Sequence, residues 1–175
     1  YRFDDLGTNV ANFETFVGGK SYTFATANGN VTEAWGTGND NLTIDEKGNV
    51  WVLQDGSQDH IWVVRPNHTQ ANPKVELFAT TPEGCEPTGM TFSPDHKFAF
   101  ISLQNPSPTS TATTIDAAGN TIVFNKSVTL VLARKENLGG TLTAIDNETT
   151  VAQHQINIFP NPSEGNAKVA FTTKA

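Results

Sequence analysis

The sequence predicts an all-β fold: a partial β-propeller of about two and a half blades, followed by the opening of a β-sandwich module. Three observations predict it. Apolar residues alternate at period two, with no convincing helical period. Turn residues punctuate the chain at short intervals. A strand–turn–strand unit occurs twice, as Asn39–Leu53 and as Cys85–Ile101; superimposing Ile44 on Phe92 gives a period of 48 residues. A period of that size suits propeller blades, each a small antiparallel sheet.

Taken in order, the expected strands are Asn12–Val17, Leu42–Asp45, Val50–Gln54, His60–Arg65, Lys74–Ala79, Met90–Ser93, Phe98–Leu103, Thr121–Phe124 and Val128–Arg134. Between them lie Lys47-Gly48-Asn49, Asp55-Gly56, Arg65-Pro66-Asn67 and Ser93-Pro94-Asp95. Glycine supplies the positive φ of tight hairpins and proline presets φ at turn starts. Residues 39–79 hold four strands, the content of one blade. Residues 86–134 hold four more, interrupted by the polar stretch Pro106–Thr114, which reads as a solvent-exposed excursion. Residues 1–38 read as the outer part of a preceding blade. Propellers need about four blades to close, so the chain, starting at Tyr1, reads as a fragment of a longer polypeptide. The domain assignment is 1–139 partial propeller, 140–155 linker and 156–175 truncated tail module. In that tail, two strands flank a Pro160-Asn161-Pro162 turn and Gly165.

Composition narrows the function. Charged residues are 17% of 175, and the net charge is −7. Nucleic-acid binders need basic stripes, so that class is excluded. An anionic substrate would need bound cations beside so acidic a chain. Cys85 is the single cysteine, so no internal disulfide forms. No apolar run reaches the roughly 18 residues that span a membrane.

Asp40 and Asn41 head the first repeated unit and Glu86 the second. Carboxylate and amide oxygens are ligands for hard cations such as calcium; the competing reading for Asp40 and Asn41 is turn capping. Glu86 lies between Cys85 and Pro87 at the entry to an apolar strand. A carboxylate buried there needs a metal or an arginine; otherwise it is an exposed loop residue. Cys85 is either a soft metal ligand or a small core residue. Asp45 and Asp95 read as turn formers. Asp55 and Asp59 flank a glycine-containing loop that is either a weak calcium site or simply solvated. The histidines (His60, His68, His96, His154) have no metal-type spacing. Gly18-Gly19-Lys20-Ser21 ends like a phosphate-binding loop, but Glu14 stands where its first glycine belongs and no helix follows. No G-x-S-x-G nucleophile elbow is present. Five N-x-[S/T] sequons matter only in a glycosylating host.

An ordered set of motifs resembles the C-terminal half of the PhoX-type alkaline phosphatases. It comprises Asn39-Asp40-Asn41-Leu42, Gly48-Asn49-Val50-Trp51, Glu86-Pro87-Thr88-Gly89 ahead of Phe92-Ser93-Pro94-Asp95, and Gln104-Asn105-Pro106-Ser107. The resemblance covers about Gly38–Leu138. It implies a secreted six-bladed propeller that uses calcium and iron to hydrolyse phosphomonoesters. It also implies that Asp40 and Glu86, with Asn41, are metal ligands facing the channel. Two departures stand out. Asn105 replaces the family's histidine, and the family's iron-binding cysteine and Arg-Pro-Glu motif belong to an earlier half not found here. Cys85 does not match that cysteine. The chain alone is therefore expected to be inactive. The competing classes are a non-catalytic calcium-binding propeller for adhesion, and a lactonase- or phytase-like propeller hydrolase.

The tail Ile158-Phe159-Pro160-Asn161-Pro162 with Gly165 resembles the start of a type IX secretion C-terminal sorting domain. That implies the type IX secretion machinery of a Bacteroidetes-type bacterium as partner, and a secreted or cell-surface location.

Overall fold

The computed structural model describes residues 1–56 and 58–138, together with the backbone of two later strands, 156–159 and 168–171. The chain divides into two compact units, Tyr1–Thr141 and Leu142–Ala175. The expected linker and the Pro160-Asn161-Pro162 turn lie outside the described residues.

The first unit is all-β, built from small antiparallel sheets. Two hairpins come first: β1 (Arg2–Asp5) with β2 (Val10–Glu14), and β3 (Ser21–Thr26) with β4 (Gly29–Ala34). A four-stranded meander follows: β5 (Asn39–Ile44), β6 (Val50–Gln54), β7 (His60–Val64) and β8 (Val75–Thr80). A three-stranded sheet contains β9 (Glu86–Phe92), β10 (Phe98–Gln104) and β13 (Val128–Ala133), with β10 central. Between β10 and β13 the chain makes a separate hairpin of β11 (Thr113–Ile115) and β12 (Thr121–Val123). A short 3₁₀ turn, Lys135–Asn137, follows β13. In the second unit, β14 (Ile156–Phe159) and β15 (Lys168–Phe171) pair as one antiparallel ladder.

The meander over residues 39–80 matches the sequence expectation closely. The second sheet differs. Thr121–Phe124 is the fourth strand expected of it, but Thr121–Val123 pairs instead with Thr113–Ile115 at the end of the excursion. The reason is local: Asp116 and Asn120 close a tight turn that favours this hairpin, the Asp116 carboxylate accepting the Asn120 and Ala118 backbone N–H groups. The strand expected at Asn12–Val17 is displaced to Val10–Glu14, and β1, β3, β4 and β11 were not anticipated. β1, β4 and β11 present mostly exposed side chains, so their apolar alternation is weak, whereas β3 does alternate, burying Tyr22 and Phe24 between exposed neighbours.

Three apolar clusters hold the unit together. Trp62, Val52, Val64 and Val75 of the meander pack with Tyr22, Phe24 and Trp35 of the second hairpin. Leu53 and Ile61 pack with Ile101, which ties the meander to the three-stranded sheet. Cys85, Leu103 and Phe124 form a third cluster under the excursion. Cys85 is thus a core residue, and burial pushes its thiol above the ordinary range.

Polar clasps complete the packing. His68 is buried; its Nδ1 accepts the Lys74 backbone N–H at 3.0 Å, so its Nε2 carries the proton and donates to the Phe16 carbonyl at 2.8 Å. Gln54 donates to the carbonyls of Trp35 and Thr37, both at 2.9 Å, and accepts from the Trp62 indole at 3.2 Å. Asp45 and Asp95 act as turn formers. Asp45 accepts the Lys47 and Asn49 backbone N–H groups at 2.9 Å, and its other oxygen accepts the Trp51 indole N–H at 3.0 Å. Burial opposes its charge, but the hydrogen bonds from Asn49 and Trp51 outweigh it and hold the carboxyl low.

Gly18-Gly19-Lys20-Ser21 runs straight into β3, with no helix and no phosphate cradle. Gly18 has φ +102°, and a Cβ there would meet Trp35 Cδ1 at 2.9 Å. Gly18→Ala is therefore expected to destabilise the protein by about 2 kcal/mol or more. Thermal unfolding of the variant checks this; an unchanged midpoint would show that Trp35 yields freely.

Candidate metal centre

Both repeated units begin with a distorted strand. In β5, Asn39 pairs with Gln54 and Asn41 with Leu53, leaving Asp40 as an extra, unpaired residue. In β9, Phe100 pairs with Thr91 and Ser102 with Thr88, so Gly89 and Met90 share Ile101; Gly89 has φ +59°. These are β-bulges, which turn a side chain away from its regular direction. The two strands lie side by side. The Gly89 backbone N–H donates to Asn41 Oδ1 at 3.4 Å, across 48 residues of sequence. The bulges therefore meet, at positions related by the repeat.

Around this junction three carboxylates converge. Oxygens of Asp40, Asp55 and Glu86 lie within 4.8 Å of one another. Asp40 rides on the β5 bulge, Asp55 follows β6 immediately, and Glu86 opens β9. Asn41 Nδ2 donates to Asp40 Oδ1 at 2.9 Å. Asn105 Nδ2 donates to Glu86 Oε2 at 3.3 Å. The Asp55 backbone N–H donates to the Gly38 carbonyl at 2.7 Å, tying the end of β6 to the start of β5. Among the described residues, none of the three carboxylates forms an ion pair with Lys, Arg or His. Next to them, Asp59 is only 6% exposed and has φ +50°. Burial pushes its carboxyl above the ordinary range, and the Asp55 and Glu86 charges push the same way.

The structure thus brings Asp40 and Glu86 together, with Asn41 as hydrogen-bond partner of the first. Asp55, which in sequence flanks a loop that is either a weak calcium site or simply solvated, is the third member of the cluster. The hairpin register carries part of that signal: Asn39 pairs with Gln54, which brings Asp55, the next residue, to the start of β5. Asp59 is buried rather than solvated. His60 and His68 are core residues, and Cys85 lies outside the cluster.

Oxygens that share one calcium ion at roughly 2.4 Å are at most about 4.8 Å apart. The spacing and all-oxygen chemistry of the cluster suit a hard cation. Iron held through thiolate or imidazole finds no donor in it. A larger cleft of about 780 Å³ lies at the other end of the strands, among Asp45, Trp51, Arg65 and Phe92. It contains none of the three carboxylates.

A family model, alkaline phosphatase PhoX, matches residues 5–107, more than half of the chain. The chain belongs to the PhoX alkaline phosphatase family. The PhoX match includes all three carboxylates, both bulges and Asn105, and stops ahead of the β11–β12 hairpin. No curated protein and no solved structure matches the chain.

Proposed function

We propose that this chain supplies one wall of the metal centre of a secreted phosphomonoesterase, the C-terminal half of a six-bladed PhoX propeller followed by a type IX sorting domain. The convergence of Asp40, Asp55 and Glu86 within 4.8 Å, with no cationic partner among the described residues, carries the reading. Three like charges in one place repel, and a bound cation relieves that repulsion. Asp40 and Glu86, with Asp55, would hold calcium, Asn41 would steady Asp40, and Asn105 would steady Glu86. A bound cation would screen the phosphate oxygens and polarise the phosphoryl group. The net charge of −7 gives an anionic ester no other welcome. Iron and its thiolate ligand would come from the preceding half of the propeller, so residues 1–175 alone would be inactive.

The test is metal removal from the full-length protein. Chelation is expected to abolish phenyl phosphate hydrolysis, and calcium, with iron where it has also been lost, to restore it. Undiminished turnover in the metal-free protein would refute the reading. Asn105, in place of the family histidine, favours a second reading: a non-catalytic calcium-binding propeller for adhesion. That reading predicts calcium binding without turnover on a panel of phosphomonoesters, lactones and phytate.

A further inference from the structure

Beside the carboxylates, a cleft of about 590 Å³ lies between the Pro82–Gly84 loop and the excursion. Its rim is hydroxyl-rich: Ser107, Thr109, Ser110 and Thr111 line it, with Glu83 and Asn105. The rim is a folded turn, since the Ser110 backbone N–H donates to the Ser107 carbonyl at 2.9 Å and the Ser107 and Thr109 hydroxyls lie 3.0 Å apart. At the base the walls nearly touch. A Cβ on Gly84 would sit 3.5 Å from the Ser107 nitrogen and 3.6 Å from the Asn105 carbonyl oxygen. Asp59 holds the Gly84 N–H at 3.3 Å, which anchors that loop from beneath.

Asn105 belongs to both places. It lines the cleft, and its amide donates to Glu86. Its φ of +53° turns the chain sharply at the end of β10. A group held at the carboxylates through a cation therefore has the cleft as its neighbour. The lining chemistry restricts what enters. Among the described residues the cleft holds no Lys or Arg to pair a second phosphate and no aromatic ring to stack a base. Glu83, the one charged side chain among the described lining residues, accepts hydrogen bonds, and the hydroxyls both donate and accept.

We propose that this cleft receives the leaving alcohol of the phosphomonoester and selects polyol or sugar monophosphates over nucleotides and bisphosphates. This rests on the phosphatase reading above. In the full-length protein, the double variant Thr109→Val/Ser110→Ala removes two rim hydroxyls while keeping the turn's bulk. The ratio of kcat/KM for sorbitol 6-phosphate to that for phenyl phosphate is expected to fall about 5- to 10-fold, as lost neutral hydrogen bonds do, chiefly through KM for the sorbitol ester. An unchanged ratio, with an unchanged melting profile, overturns the proposal. If the parent protein hydrolyses neither ester, the phosphatase reading fails on its own. The cleft is then read by saturation-transfer NMR with sorbitol. Sorbitol binding that weakens in the double variant supports the cleft, and no binding by the parent protein overturns it.

Discussion

Replacing Glu86 with Gln in the full-length protein is expected to lower phosphomonoesterase kcat/KM by at least about 100-fold, together with its bound calcium. Gln keeps the shape of the side chain and one oxygen. It removes one of three negative charges that lie within 4.8 Å of one another. A second effect of opposite sign separates this from misfolding. Without metal, the like charges oppose folding, so Glu86→Gln is expected to raise the melting temperature of the metal-free protein while abolishing the further rise expected from calcium under the proposed function. Retained calcium and retained activity would remove Glu86 from the site. A fall in the metal-free melting temperature would point to a merely structural role.

The largest effect on stability is expected at Trp62. It is fully buried in the meander, lies edge-on to Phe24 and His60, and packs against Trp35 at 5.2 Å between ring centroids. Its indole N–H donates to Gln54, whose amide in turn holds the Trp35 and Thr37 carbonyls. Trp62→Ala is expected to cost about 3–5 kcal/mol, a large part of the stability of an ordinary domain. Trp62→Phe fills most of the volume but leaves the Gln54 oxygen without its donor, at about 1–3 kcal/mol. Denaturant unfolding orders the two variants; equal, small losses would mean that the surrounding rings collapse into the gap.

The meander was legible in the sequence because each signal agreed with the others. Val50–Leu53 and Ile61–Val64 are continuous apolar runs, bounded by Gly48 and Pro66, and they form strands that are largely or wholly buried. The first 38 residues were poorly legible because β1, β2 and β4 present mostly exposed side chains, and in β3 only Tyr22 and Phe24 alternate into the core. The carboxylate cluster was half legible. Asp40 and Glu86 stand at the heads of repeated units, where position alone draws attention to them. Asp55 could be read only as one flank of a possible calcium loop, because its place beside Asp40 depends on strand register, and register there depends on a bulge that local composition does not mark. Asp59 was misjudged for a related reason. Its surroundings become buried only when the Pro82–Cys85 loop folds across, with the Thr81 and Gly84 N–H groups bound to it.

The contact between Asn41 and Gly89 has a consequence for how such a chain can grow. The two residues are one repeat apart, and each sits in the irregular first stretch of its own copy. A unit inserted whole between them would present a new head to each old neighbour and leave the seam chemistry intact. A lone residue inserted into β5 or β9 would slide one strand face past the other, reversing which side chains meet there. The architecture thus tolerates additions in whole modules and penalises them in single residues. Changes in the Pro106–Thr114 excursion, which lies off the seam, alter the cleft that it lines without disturbing this register.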